Sequence, residues 1–141
     1  MSLLALDVGS KRIGVAVADP TGTFALPLTV IDRTNLKVDL QRISELAAEY
    51  NAKEMVVGDP VTLSGARGPA AENIDRFVEQ LARVFGGRIH RVDERMTTAQ
   101  ATKSLIAADV SRSKRKTVVD KMAAALILET FLTRRRSGAP Q

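Results

Sequence analysis

Asp7 is the first residue in this chain whose position suggests chemistry. It falls in an apolar run that begins at Leu3, and Gly9 follows it in a short turn. A lone carboxylate is costly to bury unless something pairs with it. A metal ion or a phosphate group beside the turn would explain the acid, and so would a hydrogen bond between Asp7 and the turn itself. The run alone gives these two interpretations equal weight.

Further acids stand after a later apolar run and near the start of the last apolar segment. Asp93 and Glu94 end a predicted strand, and neighbouring strand residues point to opposite faces, so only one of them can face as Asp7 does. If one strand lies between, the gap is about 10 Å, which the longer Glu94 spans better; we predict Glu94 and keep Asp93 as its rival. Asp120 has a structural alternative, because with Thr117 it resembles a capping pair at a helix N-terminus.

Small residues follow Asp120, since positions 123–125 are all alanine. They would let this helix pack close to the sheet and bring Asp120 toward Asp7. Three carboxylates that converge repel one another and stay ionised only with a cation among them. A divalent ion held in this way can activate water and stabilise both oxygens of an in-line phosphoryl displacement. The expected metal ligands and catalytic residues are therefore Asp7, Glu94 and Asp120.

The composition limits the other kinds of site. The chain has no cysteine and a single histidine, His90, which excludes disulfides, cysteine-ligated zinc, a thiol nucleophile and a multi-histidine metal site. Any metal site must use oxygen ligands, which favours Mg2+ or Mn2+. His90 lies in a predicted strand, where we expect it to pack or to face solvent rather than to act as a base.

The charge of the chain is compatible with a nucleic-acid partner. Its formal net charge is +5 and its pI is near 10. Aromatic residues make up only 4% of the chain, so the aromatic stacking platforms of single-strand binders are not expected. Basic side chains beside the acids could contact a phosphate backbone, although charge runs are usually only solvated. The candidates are Lys11, Arg12, Arg95, Arg112, Lys114, Arg115 and Lys116.

Periodicity and turn residues predict five strands and four helices around these residues. The order is strand, strand, strand, helix, strand, helix, strand, helix, helix. The first three strands, joined by short turns, should pair antiparallel, and the last two, reached through helices, should lie parallel to the first. This is an α/β fold with a five-stranded mixed sheet and helices on both faces. Ligands of such sheets bind at the carboxyl edge of the parallel strands, where Asp7 and Glu94 are expected.

Local signals give several of the element boundaries. Asn35 should cap a helix, Pro69 should begin the next, and Thr97 should cap a third. Pro27 suggests a bulge or an edge position for the third strand. Residues 111–116 are expected to form a basic loop before the last helix.

Length and composition favour a single domain over residues 1–133, and residues 134–141 resemble a basic, flexible tail. The sequence contains neither an internal repeat nor a low-complexity tract. No apolar run approaches the length of a membrane span and no signal peptide is visible, so a cytoplasmic protein without a membrane partner is expected.

Four segments together resemble one family of bacterial proteins. They are LALDVGSKRIGVAVAD, VVGDP, VDERMTTAQA and KRKTVVDKMAAALIL, in the family's order and over nearly the whole chain. The family is YqgF, also described as RuvX, as Holliday-junction-resolvase-like proteins and as pre-16S rRNA nucleases. The resemblance implies an RNase H-like fold and a Mg2+- or Mn2+-dependent endonuclease whose acids fall on Asp7, the Asp93–Glu94 pair and Asp120. One departure is Asp59, which stands where the family usually has leucine and could join the site or face solvent.

The residues and the resemblance leave four functions to distinguish. The first is an endonuclease that trims precursor ribosomal RNA, with the ribosome or its precursor as a partner. The second is a Holliday junction resolvase on branched DNA, which must cut two strands symmetrically and should be a stable homodimer rather than a monomer. The third is a nucleic-acid-binding factor without catalysis. The presence of an acid at all three of the expected catalytic positions argues against it. The fourth, an actin-like ATPase, would need a second phosphate-binding hairpin, and the chain is too short for one.

Overall fold

The computed structural model describes residues 2–60, 68–93 and 112–136, and of residues 112–120 it describes the backbone only. Within these ranges the chain forms five strands and three helices. In chain order they are β1 (Ser2–Val8), β2 (Arg12–Ala18), β3 (Ala25–Asp32), α1 (Leu36–Glu49), β4 (Ala52–Asp59), α2 (Pro69–Val84), β5 (Arg88–Asp93) and α3 (Arg112–Arg136). The predicted helix that begins at Thr97, and most of the predicted loop after Asp59, lie outside the described residues.

The strands form one mixed sheet in the order β3-β2-β1-β4-β5. β1 pairs antiparallel with β2 and parallel with β4, which in turn pairs parallel with β5. Short turns join the first three strands, whereas α1 leads into β4 and α2 leads into β5, and this difference in connection sets the direction of each strand. The predicted strand directions, and the position of β4 between β1 and β5, are confirmed.

β1 is buried on both faces because its alternate side chains contact different helices. Leu4 and Leu6 pack in a cluster with Phe77 of α2 and with the apolar side of α1. Ala5 packs in a second cluster, on the other face, with Leu128 of α3. Each fully buried leucine contributes roughly 1.5–3 kcal/mol. The sheet therefore has an α1–α2 face and an α3 face, and β1 contributes to the core on both.

Sequence signals at several element ends agree with the structure. The side chain of Asn35 accepts a hydrogen bond from the Val38 amide (3.0 Å), which confirms the predicted cap of α1. α2 begins at Pro69, where the missing N–H costs nothing. Pro27 lies in β3, which is an edge strand, beside an irregularity in the register with β2. Both of the interpretations offered for this proline, bulge and edge, are confirmed.

The last helix begins earlier than predicted. α3 starts at Arg112, so the expected basic loop is wrong for residues 112–116, and Thr117 does not cap the helix. Lysine and arginine are good helix formers, and neither glycine nor proline interrupts the run. The helix therefore extends through the basic segment.

The last helix also ends later than predicted. Arg134–Arg136, which the sequence assigns to a flexible tail, form the last turn of α3, and Arg135 is held by Glu54 of β4. Residues 137–141 lie outside the described part of the chain. No helix within the described ranges is long and apolar enough to cross a membrane.

Candidate active site at the carboxyl edge of the sheet

Asp7 lies near the carboxyl end of β1, the middle strand of the sheet, and is only 8% exposed. In the register it pairs with Gly14 of β2, and because Leu6 pairs with Val57, the residue beside it in β4 is Gly58. No side chain of the two neighbouring strands therefore stands directly beside Asp7 in the register. Alternation along β1 directs Asp7 to the α3 face. The sequence therefore places one buried acid between two glycines of the neighbouring strands.

The turn after Asp7 is closed tightly and is held by Arg33, the residue that follows β3. The Gly9 amide donates to the Arg12 carbonyl (2.9 Å), and a Cβ at position 9 would lie 2.9 Å from that oxygen, so the turn requires glycine. The Arg33 amide donates to the Lys11 carbonyl (2.9 Å), and Arg33 Nη1 donates to the Gly9 carbonyl (3.0 Å). Lys11 is exposed and Arg12 is half-buried, so both predicted nucleic-acid contacts stand beside Asp7.

Arg33 also contacts a buried acid that the sequence analysis missed. Asp39 in α1 is 1% exposed and accepts hydrogen bonds from Arg33 Nε (3.2 Å) and from the Thr34 amide (3.1 Å). The Arg33 guanidinium lies over the ring of Phe77 in α2, 5.6 Å from its centroid. These contacts fix Arg33 between the turn, α1 and α2. An acid on the apolar stripe of a helix, which is where Asp39 stands, is the signal that could have found this pair.

The sheet places Asp93 and Asp7 on different faces. Val92 is buried in the cluster on the α3 face, so alternation puts Asp93 on the α1–α2 face. Asp7 belongs to the α3 face, and β4 separates the two strands. β5 ends at Asp93, and the next two candidates, Glu94 and Arg95, lie outside the described residues.

Asp59 forms an ion pair on the α1–α2 face. Arg91 Nη2 lies 3.2 Å from Asp59 Oδ1, and Arg91 Nη1 lies 2.7 Å from Asp75 Oδ1 in α2. The Asp59 side chain is mostly buried, with 13% exposed, and so does not simply face solvent. Its contacts link β4, β5 and α2 at the carboxyl edge, on the face opposite to the Asp7 carboxylate.

α3 runs antiparallel to β4, since Arg135 near its end contacts Glu54 near the start of that strand. Position 120 lies 15 residues earlier, about 22 Å along the helix, towards the edge where Asp7 lies. Because α3 begins at Arg112, Asp120 stands in its third turn. The alternative role of Asp120 as a capping acid of the first turn is therefore wrong.

The predicted site is described only in part. The side chain of Asp120 is outside the description, as are those of the basic candidates at the start of α3, which are Arg112, Lys114, Arg115 and Lys116. Among the side chains that are described, no three acids or histidines gather in a way that could hold a metal ion. The metal ligands and the basic contacts therefore stay predictions.

A charged cluster at the opposite end of the sheet holds α3 in place. Arg135 donates two hydrogen bonds to Glu54 (2.8 and 3.0 Å), and His90 Nε2 lies 2.7 Å from the same carboxylate. The Arg135 guanidinium and the His90 ring lie 4.6 and 4.7 Å from the centroid of the Phe131 ring. The hydrogen bonds from Arg135 lower the pKa of Glu54 to about 2. His90 packs against Phe131, which confirms one of the two roles predicted for it. The Glu54–Arg135 ion pair was not predicted from the sequence.

The comparison with known proteins finds relatives along the whole chain. The family model described as "RuvX: Holliday junction resolvase" matches residues 1–134. A protein of Desulforudis audaxviator named "Putative pre-16S rRNA nuclease" is 44% identical over 138 residues, which cover 98% of each chain. A protein of the same name from Thermoanaerobacter pseudethanolicus is 46% identical over 133 residues, which cover 94% of this chain and 96% of its own.

The fold is similar to that of a protein solved together with a Holliday junction. The structure of Thermus thermophilus RuvC in complex with a Holliday junction substrate superposes with a TM-score of 0.63, covering 98% of this chain and 97% of that one. The two sequences are 14% identical, so the likeness concerns the fold alone. It confirms the predicted RNase H-like architecture.

Proposed function

The chain belongs to the RuvX family and is a nuclease, and we propose that it is an endonuclease that trims the precursor of 16S rRNA with a divalent metal ion. The observation that carries the proposal is the buried carboxylate of Asp7 between two glycines at the carboxyl edge of the sheet. That edge is where open α/β sheets bind their ligands. The RNA substrate is supported by the names of relatives that are 44% and 46% identical to the chain.

The proposed metal is Mg2+ or Mn2+, held by Asp7, Glu94 and Asp120. The donor chemistry fits these ions, because the chain has no cysteine and Asp7 offers carboxylate oxygens at a strand end where both neighbouring residues in the register are glycines. When bound, the ion would activate water and stabilise the charge that develops on the phosphate oxygens. The part played by the chain is to hold the ion and the phosphate at the edge of the sheet.

Glu94 is the proposed ligand after β5, in preference to Asp93. Asp93 belongs to the α1–α2 face, and the following position returns to the α3 face if strand alternation continues. β4 keeps β1 and β5 two strand spacings apart, about 10 Å. The longer side chain of Glu94 suits that distance.

Asp120 is supported by its place along α3. Ala124 and Ile127, one and two turns later, are fully buried against the sheet. Position 120 therefore falls on the line of the helix that packs against the sheet. Since the helix begins two turns earlier, capping does not explain an acid at this position, and metal binding does.

The start of α3 is the proposed contact for the nucleic-acid backbone. Residues 112–116 read Arg-Ser-Lys-Arg-Lys and are helical, and the direction of α3 places them beyond position 120 at the carboxyl edge. Lys11 and Arg12 belong to the same edge of the sheet, and Arg95, outside the described residues, is proposed as a further contact. Cationic side chains around the metal would hold the phosphates on either side of the cut.

A cleavage assay tests the proposal. The protein is incubated with Mn2+, with Mg2+ or with EDTA, and is offered a precursor 16S rRNA fragment, the same precursor within immature ribosomal subunits, a linear duplex and a four-way DNA junction. We expect metal-dependent cutting of the RNA only. Failure to cut either form of the precursor, or cutting that persists in EDTA, would contradict the proposal.

A Holliday junction resolvase is the second candidate, because the description of the family names this activity. Paired symmetric nicks in the DNA junction, made by a stable homodimer, would establish it. An rRNA nuclease needs neither feature and can act as a monomer, in the cytoplasm, on the ribosome precursor.

A further inference from the structure

We propose that the cleft beside Asp7 on the α1–α2 face binds an unpaired nucleobase of the substrate next to the cut, stacked on the guanidinium of Arg33. The inference deepens the proposed function and rests on it. The cleft has a volume of about 1030 Å³ and extends from Asp7 and the β1–β2 turn to α1 and α2. This lies just above the roughly 300–1,000 Å³ typical of pockets that enclose small ligands, so a nucleoside fits.

Arg33 forms a flat and fixed platform in this cleft. Its guanidinium lies over the Phe77 ring, and hydrogen bonds to Asp39 (3.2 Å) and to the Gly9 carbonyl (3.0 Å) hold its plane. The Arg33 side chain nevertheless stays 26% exposed and lines the cleft. Proteins stack unpaired RNA bases on arginine planes as well as on aromatic rings. A chain with few aromatic residues can therefore still offer a stacking surface.

The charges of the described residues around the cleft give no positive excess that would attract a phosphate. Asp39 and Glu79 balance Arg33 and Arg76 in the lining, and the Asp39 carboxylate is already paired with Arg33. A neutral heterocycle, unlike an anion, does not need such an excess. The amide of Asn73, which also lines the cleft, can donate to and accept from the edge of a base.

The cleft and the proposed metal ligands lie on opposite faces of the sheet and meet at the end of β1. Asp7 stands at the sheet edge where the two faces meet. It is among the residues that line the cleft, although alternation along β1 directs its side chain to the α3 face. A nucleic-acid strand that crosses this edge would bring one phosphate to Asp7 and leave the adjoining base above Arg33. Only a nucleotide without a pairing partner can turn its base into the cleft, so the favoured substrate has unpaired nucleotides at the cut.

Base-analogue fluorescence tests the proposal. The fluorescent base 2-aminopurine is placed, one position at a time, through the unpaired region of a short precursor RNA, which is bound to the Asp7→Asn protein so that it is not cut. We expect the emission to change on binding at one or two positions next to the cut mapped with wild type. In the Arg33→Lys variant, which keeps the charge and loses the plane, this change should disappear and the affinity should fall roughly tenfold.

Arg83→Ala is the matched control, because Arg83 lies on the exposed side of α2 and outside the cleft; it should keep the full emission change. Asn73→Ala, on the surface of α2, gives a second test should Arg33→Lys unfold, with an affinity loss of several-fold expected. The proposal is overturned if no position responds, or if the cleft variants behave like Arg83→Ala. A response without any cutting by wild type would support the cleft and contradict the nuclease function, and cutting without a response would do the reverse.

Discussion

At the scale of single residues, the register of the sheet decides which acids can share a site. Asp7 and Asp93 both stand at strand ends, and the sequence analysis kept Asp93 as the rival of Glu94 for a place beside Asp7. In the structure they belong to opposite faces, and only Asp7 stands between two glycines, Gly14 and Gly58, in the register. Asp7 was predictable because a lone acid in an apolar run is costly. Arg33 and Asp39 were not predicted: the place of Asp39 on the apolar stripe of α1 was a signal for a buried acid, but only the fold reveals Arg33 as its partner.

Replacing Asp7 by asparagine should reduce cleavage roughly a hundredfold or more, since one lost electrostatic contact to a transition state typically costs 10²–10³ in rate. The amide has the same shape as the carboxylate, so the variant should stay folded and unfold cooperatively on heating. Single-turnover cleavage in Mn2+ and thermal unfolding measure the two effects.

Asp32→Asn is the control for this substitution, because Asp32 is an exposed acid at the end of β3 on the same edge of the sheet. It should cut like wild type. If Asp7→Asn also cuts like wild type, the metal site lies elsewhere.

At the scale of elements, α3 is where sequence and structure differ most. A run of lysine and arginine suits a solvated loop and a solvated helix equally well, so composition could not place the start of this helix. The structure continues the helix to Arg112, which changes the meaning of Asp120 from a first-turn acid to one within the helix. The cluster of Glu54 and Arg135 then sets how far α3 reaches along the sheet.

Replacing Lys114, Arg115 and Lys116 by alanine should weaken RNA binding and flatten its dependence on salt. Each lost phosphate contact lowers the slope of log K against log salt by roughly 0.7–0.9, so the slope should fall by up to about 2–3. Alanine keeps the helix, so the circular dichroism spectrum should not change. The control removes Arg42 and Arg83, which are exposed on α1 and α2. If the salt dependence of the variant has the same slope as that of the control, the start of α3 is not part of the RNA interface.

Replacing Gly87 by alanine should destabilise the contact between β5 and β4. A Cβ at this position would overlap the backbone carbonyl of Lys53 and lie 2.6 Å from the Phe85 ring, and the carbonyl cannot move without disturbing β4. Overpacking of this kind costs about 1–3 kcal/mol, measured by urea unfolding. Gly86→Ala is the control, because nothing lies within 4 Å of its Cβ. Equal stability of the two variants would contradict the tight approach at Gly87.

At the scale of the whole molecule, the fold was predictable because connections carry its topology. Turns of a few residues allow only antiparallel neighbours, and crossover helices allow parallel ones, so the order of elements sets the mixed sheet. Pairs such as Glu54 and Arg135, 81 residues apart, leave no trace in periodicity, and the sequence could not reveal them. They matter to the whole molecule because they join the last helix to the sheet.

Replacing Glu54 by glutamine should change how the stability of the whole protein depends on acid. Arg135 lowers the pKa of Glu54 from 4.5 to about 2, so the ionised form is favoured in the folded state. Its contribution is complete above pH 4.5 and is lost as the pH falls towards 2. The variant should therefore be less stable than wild type by about 1–2 kcal/mol at pH 7, and the difference should shrink between pH 4.5 and 2. Thermal unfolding over this pH range measures it.

Glu79→Gln is the matched control for Glu54→Gln, because Glu79 pairs with Arg83 on the exposed surface of α2, where an ion pair contributes little. The variant at position 54 should still lose some stability in acid, since the hydrogen bond from the Phe24 amide lowers the pKa of Asp19 to about 2 in both proteins. A stability difference between Glu54→Gln and wild type that stays constant from pH 7 to pH 2 would show that the Glu54 charge does not hold α3 to the sheet. In that case the packing of Phe131 and its neighbours alone would fix the helix that carries Asp120.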